Sequence, residues 1–314
     1  MSSVRSALIV GAGVAGPAAA LALAKVGIRS TIVESHPGPA DGVGAVITLA
    51  SNGYDVLRTL GVASSVDAEA QRTFEVHMSD AGGQTFARYP SSGFVMARDA
   101  LSGILADHAA RAGSRVEYGR RLVGAEAASD GVVAHFEDGA ELATDLVVGA
   151  DGIHSTVRGI IDPDAPDPVY EGVLGFGGIT DAGATSADPG VMNFAFGRRF
   201  LGYWRLPDGR ICWYAALPRA EETSWRQIEG TPSSSWLARL RAEYAGLYPA
   251  EDLLALSTPD DLVTTGPMLR MPPVPHWHGA RRRFRSCAVL HLWTRGIAGA
   301  GECARARQVS SGPA

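Results

Sequence analysis

The feature that most restricts this chain is Gly11-Ala12-Gly13-Val14-Ala15-Gly16, set between the apolar run Ser6–Val10 and the alanine- and leucine-rich stretch Ala15–Val26. A short apolar run closed by glycine suits a buried parallel strand. Pro17 falls where a first helical turn tolerates a missing N–H, and Gly27 stands where a helix stops, so strand, turn and helix follow in order. A second apolar run, Ser30–Val33, then ends in Glu34. In this register Gly11 allows the tight turn, Gly13 lets backbone approach a diphosphate with no Cβ in the way, and Gly16 lets helix and strand pack closely. The helix N-terminus, with Ala15 in its opening turn, offers free N–H groups to phosphate. Glu34 is placed to accept hydrogen bonds from a ribose. The alternative is a plain glycine turn in an ordinary α/β unit, which the in-register second strand and acid disfavour.

Composition narrows the classes. The 314 residues are 46% apolar, enough for a sizeable core, at a prior of roughly 100–200 residues per domain. With 28 Lys+Arg against 33 Asp+Glu there is no overall basic field, so nucleic acid is not an expected partner. The apolar segments Ala7–Val10 and Val14–Ala24 are broken by glycines and Pro17. Neither a signal peptide nor a membrane span is expected. Cys212, Cys287 and Cys303 show no metal-ligand spacing and make no disulfide framework, which fits a reducing cytoplasm and no metal site.

After Gly16 the spacing continues as three residues, Ala20, six residues and Gly27. This longer pattern resembles FAD-holding oxidoreductases more than nicotinamide dehydrogenases. A later stretch, Gly149-Ala150-Asp151-Gly152-Ile153-His154-Ser155-Thr156-Val157-Arg158, follows another apolar run and resembles the Asp-Gly motif of the class A flavoprotein monooxygenases, the para-hydroxybenzoate hydroxylase family. The resemblance implies that Asp151, Gly152 and Arg158 lie near the FAD diphosphate and serve in NAD(P)H use. Read from the residues alone, Asp151-Gly152 is a turn after a strand and Ser155 an N-cap. Arg98 sits at a helix start with Leu101 and Leu105 at i, i+4 spacing. Family members carry a similar arginine before two spaced leucines, and the resemblance implies contact with FAD; the alternative is a surface arginine where the helix dipole disfavours a cation. Gly42–Leu49, followed by Asn52 and a helical Tyr54–Leu60, resembles the family's segment beside the isoalloxazine ring, with a simple loop equally open.

From Val173 to Leu217 the chain reads as aromatic, partly alternating runs separated by turns such as Pro207-Asp208-Gly209. Phe194, Phe196, Tyr203, Trp204, Trp213 and Tyr214 are candidates to line an apolar pocket, each against the commoner role of sheet core. A helix over 234–244 and a return strand within 262–277 follow. The expected fold is α/β: a Rossmann-like, glutathione reductase-like FAD-binding domain over residues 1–72, 97–165 and 265–278, with an inserted mostly β substrate domain over 73–96 and 166–264. The resemblance implies an FAD-dependent, NAD(P)H-using monooxygenase that hydroxylates or epoxidises an aromatic or apolar small molecule with O2 through a flavin hydroperoxide. The alternatives are a non-oxygenating flavin or nicotinamide oxidoreductase, or an inactive flavin-binding remnant. No Ser-His-Asp set or carboxylate pair is evident, no catalytic residue is named, and His154 reads as structural.

Beyond Trp277 the resemblance fails. The family continues as a strand and a Gly-Asp pair that holds the ribityl chain, but no Gly-Asp pair follows Trp277 here. Residues 279–314 instead carry seven arginines, one acid and two of the three cysteines. With one lysine in the whole chain pointing to a GC-rich source, this tail is expected to be read from a shifted frame, and the sheet to lack its last strand. A genuine basic extension is the other reading. Resequencing and the intact mass of expressed protein test the shift: an unshifted frame with the mass of this sequence removes it.

Overall fold

The computed structural model describes residues 4–39 and 46–278, together with the backbone of 284–286. Gly42–Ala45, expected beside the flavin ring, and the tail at 279–283 and 287–314 lie outside the described residues.

Strand Ser6–Val10 is buried along almost its whole length because both of its faces are covered. It is the middle strand of a parallel five-stranded sheet in the order Phe284–Ser286, Leu146–Gly149, Ser6–Val10, Arg29–Val33, Arg115–Glu117. Its alternating side chains divide between two cores. Ile9, with Ile32 and Val148, packs under helices Ala15–Ala24 and Arg98–Arg111 through Ala18, Leu101 and Leu105. Leu8 and Val10, with Val147, pack against Leu122 and Phe136 of a three-stranded antiparallel sheet. Helix Ala15–Ala24 ends ahead of Gly27, whose φ of +76° is readily accessible only to glycine.

The expectation of a missing last strand is corrected. The backbone of Phe284–Ser286 pairs in parallel with Val147–Gly149 at the sheet edge. Such pairing is made by main-chain N–H and C=O groups, so it asks little of the side chains in that segment.

The second layer is a seven-stranded sheet in the order Leu262–Arg270, Val169–Thr180, Ile211–Pro218, Phe200–Arg205, Val191–Phe196, Glu75–Ser79, Thr85–Pro90. Period-2 alternation gives it two different faces. Leu201, Tyr203, Trp213 and Ala215 point to helices Ser233–Glu243 and Ala250–Leu256, meeting Trp236, Leu237, Leu240, Leu253 and Leu254 in one core. The Trp213 indole donates to Ser257 Oγ at 3.2 Å, and the Tyr244 hydroxyl donates to the Phe200 carbonyl at 2.8 Å, so the buried polar atoms of this core are paired. Tyr203 and Trp213 are therefore core residues. Leu262–Arg270 belongs wholly to this sheet, pairing with Val169–Thr180, so the chain leaves it after residue 270 rather than at 265.

A small sheet of Val46–Leu49, Phe94–Ala97 and Gln71–Arg72 joins the layers. Gln71 Nε2 donates to the Arg205 carbonyl at 2.8 Å, tying it to the large sheet. Leu240 is fully buried between helix and sheet. Leu240→Ala is expected to cost about 2–5 kcal/mol, read as a lower urea midpoint at unchanged slope.

Candidate functional site

The carboxyl ends of three parallel strands converge at the glycine turn. Gly11 N donates to the Val33 carbonyl and Ala150 N to the Val10 carbonyl, both at 2.7 Å. The spacing leaves no room for side chains. A Cβ on Gly11 would lie 2.4 Å from the Ala150 carbonyl oxygen, and one on Gly16 would lie 1.9 Å from that of Gly11. Gly13 differs: a Cβ there meets nothing within 4 Å, so the turn is open above this residue. Helix Ala15–Ala24 begins here with buried Ala15, with no side-chain cap and no acid in its first turn. Its first N–H groups are therefore capped by no side chain of the helix's own first turn, the arrangement that receives phosphate.

Glu34 closes the turn from the second strand. One carboxylate oxygen accepts from Ala12 N at 2.8 Å, and the other from His36 N at 2.9 Å. Asp151 and Gly152 abut the same turn, since the Asp151 Cα is 3.0 Å from where a Gly11 Cβ would stand. The Asp151 carboxylate accepts from Ser155 Oγ at 2.5 Å and from Val157 N at 3.1 Å. Ser155 Oγ in turn accepts from Arg158 N at 2.9 Å, so the turn and the N-cap expected from these residues are both present. Gly152 adopts φ +80° and is exposed. Arg158 is 8% exposed and donates to the Ile153 carbonyl, which spends its charge inside the loop. His154 is exposed.

Arg98 opens helix Arg98–Arg111 on the other side of the fold's central opening, half-buried and with no ion pair among the described residues. Its neighbours Ala97 and Asp99 both line a cavity of about 520 Å³ between the small bridging sheet and the large sheet. Val46, Ile47 and Thr48 form one wall. The opposite wall is the second face of the seven-stranded sheet: Met192, Phe194, Phe200, Gly202, Trp204, Cys212 and Tyr214. Of the six aromatic candidates, Phe194, Trp204 and Tyr214 stand on this face; Phe196 is exposed, and Trp213, although it borders the cavity, packs its side chain in the core behind the sheet. Phe200, Met192 and Cys212 were missed. The signal that finds them is alternation along each strand, with 192 and 194, 200, 202 and 204, and 212 and 214 on one side. Phe194 and Phe200 stack with centroids 5.6 Å apart, and burial pushes the Cys212 thiol and the Tyr214 hydroxyl each up to about 12. Both stay protonated at neutral pH.

A parallel sheet ending in a phosphate-receiving turn, joined to a β-sheet domain across an apolar cavity, defines a flavoprotein of the two-domain oxidoreductase type. The FAD binding domain family matches residues 5–194, and the chain belongs to that family; its cofactor is FAD. It is 33% identical over 230 residues to a 3-amino-4-hydroxybenzoate 2-monooxygenase of Streptomyces cremeus, covering 69% of this chain and 57% of that protein. It is 24% identical over 292 residues to a 6-hydroxynicotinate 3-monooxygenase of Bordetella bronchiseptica, covering 87% of this chain and 73% of the relative. Its fold is similar to that of Klebsiella pneumoniae HpxO complexed with FAD and uric acid, with a TM-score of 0.78 and 21% identity over 90% of this chain and 72% of the other. No helix among the described residues is long and apolar enough to cross a membrane.

The open space at Gly13 fits a diphosphate laid on the turn. Gly13→Val is expected to fold with an unchanged Tm yet lose at least tenfold in flavin retention, because its side chain meets the ligand and not the protein. Gly16→Ala is expected to lower both, since its Cβ overlaps a carbonyl. Thermal unfolding and flavin absorbance of the two variants check this.

Proposed function

We propose that the chain is an FAD-dependent, NAD(P)H-using monooxygenase that hydroxylates or epoxidises a small aromatic or apolar molecule. The observation that carries this reading is the aromatic-walled cavity bordered by the residues on either side of Arg98, within a fold whose first turn is open for a diphosphate. Gly11, Gly13, Ala15 and Gly16 would hold the FAD diphosphate, Glu34 the ribose, and Arg98 the flavin end. Asp151 and Gly152 would form the loop that borders the diphosphate. Asp151 acts by position in this scheme, holding Ser155 and Val157 in place.

FAD held by these residues would supply the redox chemistry by which NAD(P)H and O2 put one oxygen atom into the substrate and the other into water. The residues of this chain bind, orient and keep dry. Phe194 and Phe200 offer a stacked surface to a planar ring. The protonated Cys212 and Tyr214 leave that wall uncharged, so no fixed anion there competes with an electron-rich ring for the oxidant. No side chain is assigned as acid or base.

Relatives named for an aminohydroxybenzoate and a hydroxynicotinate support a single six-membered aromatic ring as the unit attacked. Oxygen uptake driven by NAD(P)H in flavin-loaded protein, with 18O2 label in the product, is the expected result for an accepted aromatic. Flavin that is reduced and reoxidised across an aromatic panel with no label in any product overturns the oxygenase reading in favour of a non-oxygenating oxidoreductase.

A further inference from the structure

A second concavity lies among the helices that cover the large sheet. It holds about 460 Å³ where the chain leaves strand Ile211–Pro218 and passes through the short helix Trp225–Glu229 into helix Ser233–Glu243. Trp236 closes it on the inside, buried and packed against Phe176 in the core behind the sheet. The rest of its lining is polar and carries cations. Arg219 and Arg239 both border it, together with Gln227 and Ser235, and no acid is among the described lining residues.

Neither guanidinium is spent within the protein, since neither ion-pairs or hydrogen-bonds with a described residue. Glu243, one helical turn beyond Arg239, is taken by Arg199, whose Nε donates to it at 3.1 Å. Glu221, Glu222 and Glu229 are exposed neighbours in sequence that do not line the concavity. Gln227 adds donors of fixed direction. Its Oε1 accepts from Ser224 N at 2.9 Å in the capping box of the short helix, which commits the oxygen to that side and leaves the Nε2 hydrogens without a described acceptor. The Ser235 hydroxyl is likewise unbonded among the described residues.

A single exposed arginine holds an oxyanion weakly, because water screens the pair. Two guanidiniums around one concavity raise its potential together, and their forks match the oxygens of a phosphate. Its double charge answers two cations better than the single charge of a carboxylate does. We propose that this concavity binds a phosphate group, free or carried as a monoester on a small molecule, with Arg219 and Arg239 as charged anchors and Gln227 and Ser235 as neutral donors.

The test is isothermal titration calorimetry of the flavin-loaded full-length chain, in which FAD occupies the glycine turn. The probes are inorganic phosphate, glycerol 2-phosphate and acetate at fixed ionic strength and about pH 8, where phosphate is chiefly doubly charged. Phosphate is expected to bind with a Kd of about 1 mM or tighter, and acetate at least about tenfold more weakly. Arg239→Gln, at an exposed helix position, is expected to weaken phosphate about tenfold or more with Tm unchanged, the value of one charge-assisted hydrogen bond, and Arg219→Gln likewise. Arg226→Gln removes an exposed arginine of the short helix that does not line the concavity, and is expected to move the affinity less than about twofold. Glycerol 2-phosphate that binds more tightly than phosphate supports the site with a monoester as its ligand; the reverse order supports it with the free ion. Saturable phosphate binding no tighter than about 10 mM overturns the proposal, as does an affinity that Arg239→Gln leaves unchanged or that Arg226→Gln lowers equally. Should Arg219→Gln not fold, the other two variants decide.

Discussion

Everything in this molecule is arranged around a backbone-to-backbone approach at the carboxyl edge of the parallel sheet. The carbonyl of Ala150 and the Cα of Asp151 press on Gly11, and the carbonyl of Gly11 presses on Gly16, at separations where a Cβ cannot stand. That contact brings the first strand, its helix and the Asp151 loop to one point. It also leaves the helix N-terminus uncapped and Gly13 open, so partial positive charge and free volume coincide. Two acids brace the arrangement from outside. Glu34 holds the turn through Ala12 N, and Asp151 holds the Thr156–Ile161 helix through Val157 N. Hydrogen bonds of this kind keep the opening in shape before any ligand arrives.

The second organising constraint is the two-faced large sheet. Its helix-covered side is sealed by Trp213, Tyr244, Leu240 and their neighbours, with the Tyr244 hydroxyl bonded to strand carbonyls. Because that face is rigid, the opposite face is held flat, and alternate residues of the same strands become the wall of a cavity. The wall's chemistry follows from burial. Desolvation keeps the Cys212 thiol and the Tyr214 hydroxyl neutral, aromatic rings supply contact area, and Arg210, the one cation among the described lining residues, is paired within its own turn.

Much of the cofactor end was legible because it depends on local backbone demands. Glycine at 11, 13 and 16, the glycine after the first helix and the acid closing the second strand each answer a stereochemical requirement that neighbours in sequence impose. The Asp151-Gly152 turn and the Ser155 cap were legible for the same reason. The substrate end was less so. Trp204 and Tyr203 are adjacent and chemically similar, yet one lines the cavity and the other fills the core. Phe200 escaped notice, although it lies two residues from Gly202 on the same face. The strand at Phe284–Ser286 was unexpected because its pairing is made by main chain, which side-chain patterns do not report.

The amino-acid sequence by itself therefore determined the phosphate-receiving turn, the α/β class and the family. These rest on short-range sterics, where the absence of a Cβ or the position of a cap has a single geometric outcome. Tertiary structure alone decided which side of the large sheet met the helices, and so which aromatic residues were left for a ligand. It also decided that Arg210 arrives already paired within its own turn. The physical reason is that alternation in a strand fixes which residues share a face, whereas only the packing of distant helices against one face settles which of the two is buried.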